Sequence, residues 1–208
     1  RTGVYECIGY PYGSIPRLVL CWLTSEAVTR GSRKLELGPS LNTFMRSLGL
    51  NPATGGGPRG DAKRLHDQME RLFRASISFA HSNPSQRAWM NMEITSEGFL
   101  WWDPAKPDQF SIWGSWIVLG ERFYEAITAH PVPLDLRVLR ALKKSPLALD
   151  LYALLVYKSY LADRNRKTFT IPWSGLREQI GGEYARMVDF RRAAREALRT
   201  IAALHPGA

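Results

Sequence analysis

Cysteine is scarce in this chain: Cys7 and Cys21 are the only two among 208 residues. They lack metal-ligand spacing, which argues against a disulfide scaffold and fits a reducing compartment. Long apolar runs are missing too. None approaches the roughly 18 residues of a membrane-spanning helix, and the opening RTGVYECIGYPYG has no signal-peptide apolar region. No membrane partner is expected. The chain starts at Arg1 rather than Met, so a fragment of a longer protein is expected. His66, His81, His130 and His205 are scattered and form no metal-binding pair. No acidic cluster suggests a metal-dependent nuclease or polymerase. The glycine-rich loop 51–60, NPATGGGPRG, is followed by no Gly-Lys-Ser/Thr and fed by no apolar strand, so it is not read as a phosphate-binding loop. Neither catalysis nor a metal nor a cofactor is expected.

Positive charge, by contrast, is in excess. With 28 Lys and Arg against 19 Asp and Glu, the net charge is +9 and the pI about 9.8. Such a balance suits a polyanionic partner, nucleic acid above all. The excess is uneven. Residues 1–130 hold 14 basic and 12 acidic side chains, a net of +2, whereas residues 131–208 hold 14 and 7, a net of +7. An apolar content of 45% is enough to build a buried core rather than a disordered chain.

Helix and strand periods alternate along the chain. Ser14 is placed to cap a helix starting near Pro16, with Ile15, Leu18, Val19, Trp22 and Leu23 on its apolar face and Gly31 after its end at Arg30. Residues 33–37 alternate as a short strand does. Ser40 caps a short helix with Leu41, Phe44, Met45 and Leu48 inward, closed by Gly49. Asp61 caps a third helix, with Leu65, Met69, Leu72 and Phe73 packed. Strands follow at 76–81, 89–95, 99–102 and 112–119. They hold five of the seven tryptophans (Trp89, Trp101, Trp102, Trp113, Trp116), read as core and sheet-packing residues, with base stacking as the alternative. A helix over 121–129 stops before the proline-rich segment 130–133, which is taken as a domain boundary.

The second part repeats that order. Asp135 caps a short helix with Leu136, Leu139 and Leu142 inward. Ser145-Pro146 opens a longer helix to about Ala162, on which Tyr152, Tyr157 and Tyr160 are read as packing residues. A basic turn at 163–167 precedes a strand at 168–172. Ser174 caps a helix through Ile180, Gly181-Gly182 turns the chain, and a basic amphipathic helix spans 184–201. On that last helix Met187, Phe190, Ala194, Leu198 and Ile201 form an apolar stripe. Arg192, Arg195 and Arg199 lie within about 60° of one another, with Arg191 between them and the stripe. Helix, strand, capped helix, glycine and third helix, met twice and followed in the first half by antiparallel strands, is the order of two tandem winged-helix domains, 1–130 and 131–208, in an α+β chain; the basic residues of the first third helix, Lys63, Arg64, Arg71 and Arg74, are read as a solvated face.

Several stretches carry a resemblance to a known family. YPYGSIPRLVLCWLTSEAV (10–28), LELGPSLNTFMRSLGL (35–50), DAKRLHDQMERLF (61–73), LWWDP (100–104) with KPDQ (106–109), HPVPLDLRVLRALKKSPLALDLY (130–152) and IPWSGLREQIG (171–181) are similar to the plasmid RepA-type replication initiators. The resemblance implies winged-helix binding of repeated origin sites (iterons) in double-stranded DNA, origin opening, and loading of a host helicase together with host initiator proteins. It also implies a bacterial cytoplasmic setting on plasmid DNA and, in some members, repression of the protein's own promoter. It implies a second wing after the last helix, for which residues 203–208 leave no room. It further implies an N-terminal segment before Arg1. A rolling-circle initiator would need a His-x-His metal site beside a nucleophilic tyrosine, and this chain has no such histidine pair.

The candidate DNA-binding residues follow from the helix order. Arg192, Arg195 and Arg199 are placed to reach bases or phosphates, and arginine's planar fork matches the O6 and N7 of guanine. Tyr184, Arg186 and Arg191 sit toward the start of the recognition helix, where contact is deepest. Ser174, Arg177, Arg166 and Lys167 are candidate phosphate contacts. In the first domain Arg59, Lys63 and Arg64 are candidate backbone contacts. That domain is expected to supply backbone contact or homodimerisation while the second reads sequence. A winged-helix transcriptional repressor, or a protein-interaction module docking on an acidic partner, is the alternative.

Overall fold

The computed structural model describes residues 7–52, 60–82, 87–103, 105–110, 114–182 and 184–205. It is an α+β structure, in which the described residues form eight helices and two small antiparallel sheets. The chain divides into two compact units, Arg1–Pro131 and Val132–Ala208. No helix among the described residues is long and apolar enough to cross a membrane.

In the first unit, helix α1 (Ser14–Arg30) leads to strand β1 (Lys34–Gly38) and helices α2 (Leu41–Ser47) and α3 (Asp61–Phe73). The expected apolar faces are buried: Val19 and Leu23 on α1, Phe44 and Met45 on α2, and Leu65 and Met69 on α3 meet in one cluster. Ser40 caps α2 as expected, accepting from the Thr43 N–H at 3.2 Å. The other two expected caps do not form. Gly13, at φ 80°, precedes α1, so Ser14 falls inside the helix. Gly60 precedes α3, so Asp61 lies in the first turn, where its carboxylate accepts from Arg64 at 3.3 Å.

Two sheets complete this unit. Strands β2 (Ser76–Ser82) and β3 (Arg87–Glu93) form a hairpin. Strand β5 (Ser115–Leu119) lies between β1 and β4 (Thr95–Phe99), antiparallel to both. Alternation sets the buried face, since Leu35 and Leu37 of β1 and Ile117 and Leu119 of β5 point inward. The third strand therefore begins earlier than the expected 99–102. Ile94 is buried at a bend, and the Thr95 hydroxyl donates to the Phe73 carbonyl at 2.7 Å, which starts β4 at once. Gly120 has no room for a side chain: a Cβ there would stand 2.3 Å from the Glu93 carbonyl oxygen. Helix α4 (Glu121–Ala129) follows.

The tryptophans divide between core and surface. Trp102 is buried with its ring 5.3 Å from Phe44, which Trp22 meets edge-on at 4.9 Å. Trp116 lies under the Lys34 ammonium at 4.8 Å. Trp89 and Trp101, by contrast, are exposed, Trp101 stacked on Phe99, so the packing assignment fails for these two. Trp113 lies outside the described residues.

The regular elements of the second unit are all helices among its described residues. Helix α5 (Leu136–Leu142) is capped by Asp135, and α6 (Pro146–Asn165) by Ser145, as expected. Val138 rather than Leu136 joins Leu139 and Leu142 inside. Tyr152 is fully buried, and its hydroxyl accepts from the Asp135 N–H at 3.1 Å and meets His205 Nδ1 at 3.2 Å. Tyr157 and Tyr160 are exposed, against the packing role expected of them. The expected strand at 168–172 does not form. A strand is held by a ladder, and no strand among the described residues of this unit offers one. Helices α7 (Trp173–Ile180) and α8 (Met187–Leu204) end the unit.

Two outcomes are expected. Phe44→Ala should destabilise the first unit by about 3–5 kcal/mol, because it empties the space between Trp22 and Trp102; a denaturant melt followed by tryptophan fluorescence measures it. Hydrogen bonds from the Arg137 side chain, then from its backbone N–H, lower the Asp135 carboxyl to about 2. The stabilisation from this cap is complete above the unfolded carboxyl's value near 4 and is lost as pH falls through about 2. Carboxyl-carbon NMR should place its midpoint near 2; a midpoint near 4 contradicts the cap.

Candidate nucleic-acid interface

Helix α8 is built from two opposed stripes. Phe190, Ala194, Ala197 and Ile201 are buried, while Arg191, Arg192, Arg195 and Arg199 are exposed. At about 100° per residue the four arginines occupy an arc of about 100° beside the buried stripe. Arg191 and Arg199 make no ion pair among the described residues. Arg192 and Arg186 share Asp189, at 3.4 and 2.6 Å. The Arg195 guanidinium lies over the Trp173 ring, 5.7 Å from its centroid.

The turn before α8 fixes where this row begins. Helix α7 ends at Gly181, whose N–H donates to the Arg177 carbonyl at 2.8 Å. A Cβ at Gly181 would lie 2.8 Å from both Cγ and the carbonyl oxygen of Arg177. The Arg177 guanidinium then reaches forward, donating to the Tyr184 carbonyl (2.9 and 3.2 Å) and the Ala185 carbonyl (2.8 Å). Those two oxygens would otherwise accept from the first turn of a helix begun at 184. With them engaged, α8 starts at Met187, three residues later than the expected Tyr184. Tyr184 and Arg186 thus stand before the helix, Arg186 at its N-cap. The Tyr184 ring packs against Phe190 at 5.7 Å, and Trp173 meets Phe190 edge-on at 6.3 Å.

The remaining candidates fall elsewhere. Ser174 does not cap α7, because Pro172 occupies the cap position and carries no acceptor side chain; Ser174 is exposed in the first turn. Arg177 is mainly a fastener of the turn. Arg166, in the left-handed conformation at φ 50°, and Lys167 are exposed at the end of α6, away from the first turn of α8 in sequence but beside a groove that Trp173 and Leu198 also line. In the first unit Lys63 and Arg64 are exposed on the first turn of α3. Arg59 lies outside the described residues.

One residue in the row escaped the sequence reading. Val188 is 64% exposed in the first turn of α8. It lies about 60° around the helix from Arg191, inside the arginine arc. The helical phase signals its place there, and its hydropathy drew attention instead to the buried stripe.

Residues 10–175 match a family model described as plasmid encoded RepA protein. No curated protein and no solved structure matches the chain.

The glycine pair separates steric from conformational effects. Gly181→Ala should cost about 1–3 kcal/mol through overpacking and raise hydrogen exchange at the start of α8. Gly182→Ala should be near neutral, since nothing lies within 4 Å of its added Cβ. Equal melts for the two variants would refute the role given to the Arg177 contact.

Proposed function

The chain belongs to the plasmid-encoded RepA protein family, a family of plasmid replication proteins, and from that premise we propose that it binds origin DNA through α8. The observation that carries the proposal is the row Arg191, Arg192, Arg195 and Arg199, exposed along one side of a helix whose other side is locked into the core. The row supplies both functions a DNA-binding helix needs. Guanidinium forks can read guanine in the major groove, and the same charges can release counterions from phosphates. Val188 adds an apolar contact of the kind that fits a thymine methyl group.

In this reading the second unit is a winged helix, α7 and α8 are its helix-turn-helix pair, and α8 lies in the groove. The first unit, with its helix–strand–helix–helix–hairpin order, is the other winged helix. Lys63 and Arg64 there touch phosphates, and the unit supports backbone contact or pairing with a second copy. The DNA sites are repeated origin sequences, and bound protein promotes duplex opening and helicase loading with host initiator proteins. No chemistry is assigned to the protein itself. The setting is the bacterial cytoplasm, on plasmid DNA.

Selection of bound sites from a random duplex pool tests the class of site, and recovery of one repeated motif is the expected result. Arg192→Ala should then cost about 1–3 kcal/mol and relax preference at one base, whereas Lys63→Ala should weaken all sequences alike. Affinity should fall steeply with salt. A shallow salt dependence with no preference over random duplex would favour instead a module that docks on an acidic protein.

A further inference from the structure

A groove of about 680 Å³ opens in the second unit, between the C-terminal half of α6, the segment 167–171 and helices α7 and α8. Leu151, Leu154, Leu155, Ile171, Leu176 and Leu198 give it an apolar floor. Its margin carries Lys158, Arg166 and Lys167 against the single carboxylate of Asp163. None of these four makes an ion pair among the described residues. The Lys158 ammonium rests between aromatic rings, 5.1 Å from Phe169 and 5.8 Å from Tyr157. We infer that this groove docks an acidic protein segment in extended conformation, its apolar side chains on the leucine floor and its carboxylates on the basic margin.

Two features select this occupant. The margin holds three cations to one anion, so an acidic chain gains attraction where a basic one is repelled. The segment along one wall, Thr168-Phe169-Thr170-Ile171, has a strand-forming composition, and Pro172 holds Ile171 out of the helical region. Its backbone N–H and C=O groups have no hydrogen bond among the described residues. An extended peptide laid beside it would complete a ladder and place alternate side chains on the floor. A nucleic acid strand satisfies the basic margin equally well but leaves six aliphatic side chains facing sugar and phosphate. The floor therefore favours the peptide. None of Arg191, Arg192, Arg195 and Arg199 lines the groove, so its failure as a docking site would leave the DNA proposal standing.

A fluorescent peptide of repeating Phe-Asp-Leu-Glu is the probe, read by anisotropy with the full 208-residue chain. It should bind, while repeating Phe-Lys-Leu-Lys and repeating Ser-Asp-Ser-Glu should not. Lys158→Glu should weaken it about three- to tenfold, and Phe169→Ala should weaken it as well, with both variants checked for native circular dichroism. Methylating alternate amide nitrogens of the probe should abolish binding by removing the ladder donors. The proposal is overturned if the acidic peptide fails to bind, or if the basic or serine peptide binds as well. Indifference to Lys158→Glu and Phe169→Ala also overturns it, as does displacement of the probe by an oligothymidylate of equal length, which would mark the groove as a single-strand site.

Discussion

The contact between Arg177 and Gly181 governs how the second unit presents its charges. A glycine pressed against the preceding helical turn lets the chain reverse within a few residues, and no larger side chain fits there. The same arginine holds the Tyr184 and Ala185 carbonyls. Its charged donors satisfy oxygens that would otherwise extend the helix backward, so one residue closes α7 through its backbone carbonyl and sets the first residue of α8 through its side chain. Charge-assisted hydrogen bonds are stronger than neutral ones, and three of them on two adjacent carbonyls leave that start little freedom.

Rotation of α8 about its axis is set separately, by packing. Phe190 is fully buried and meets the rings of Tyr184 and Trp173, one from the turn and one from α7. Because side chains three and four residues apart share a face, fixing Phe190 inward fixes Ala194, Ala197 and Ile201 inward as well. The arginines are then held outward whatever their own contacts. Arg195 gains a modest further restraint from the face of Trp173, an attraction on the order of 0.5–1 kcal/mol at an exposed site. The display of charge thus depends on the apolar stripe and the turn, and very little on the charges themselves.

What the sequence made legible was the periodic part. The apolar faces of α1, α2 and α3 are buried as their spacing predicts, and the caps at Ser40, Asp135 and Ser145 form because a side-chain oxygen precedes each helix by the right step. Errors arose where a local preference met a tertiary partner. Ser174 looked like a cap until Pro172 took that position. Residues 168–172 have strand composition without a neighbouring strand, and composition alone makes no ladder. Trp89 and Trp101 carry the strand-forming preference of their neighbours yet are exposed: Trp89 lies in a stretch of β3 whose residues 88–91 are all exposed, and Trp101 lies beyond the end of β4. The arginine row was legible as a pattern. That α8 begins at Met187 was not, because it depends on a guanidinium whose target oxygens lie seven and eight residues away.

The ion pairs at the head of α8 set how freely its first arginines are presented. Asp189 sits in the first helical turn, where the helix dipole favours a carboxylate, and Arg186 and Arg192 flank it. Both arginine side chains are largely exposed, at 74% and 80%. Exposed pairs of this kind contribute only about 0–1 kcal/mol, so either arginine leaves Asp189 at little cost. Meanwhile the carboxylate holds the two guanidinium groups near the start of the helix. Asp189 therefore restrains Arg186 and Arg192 without neutralising the row, because Arg191 and Arg199 make no ion pair among the described residues.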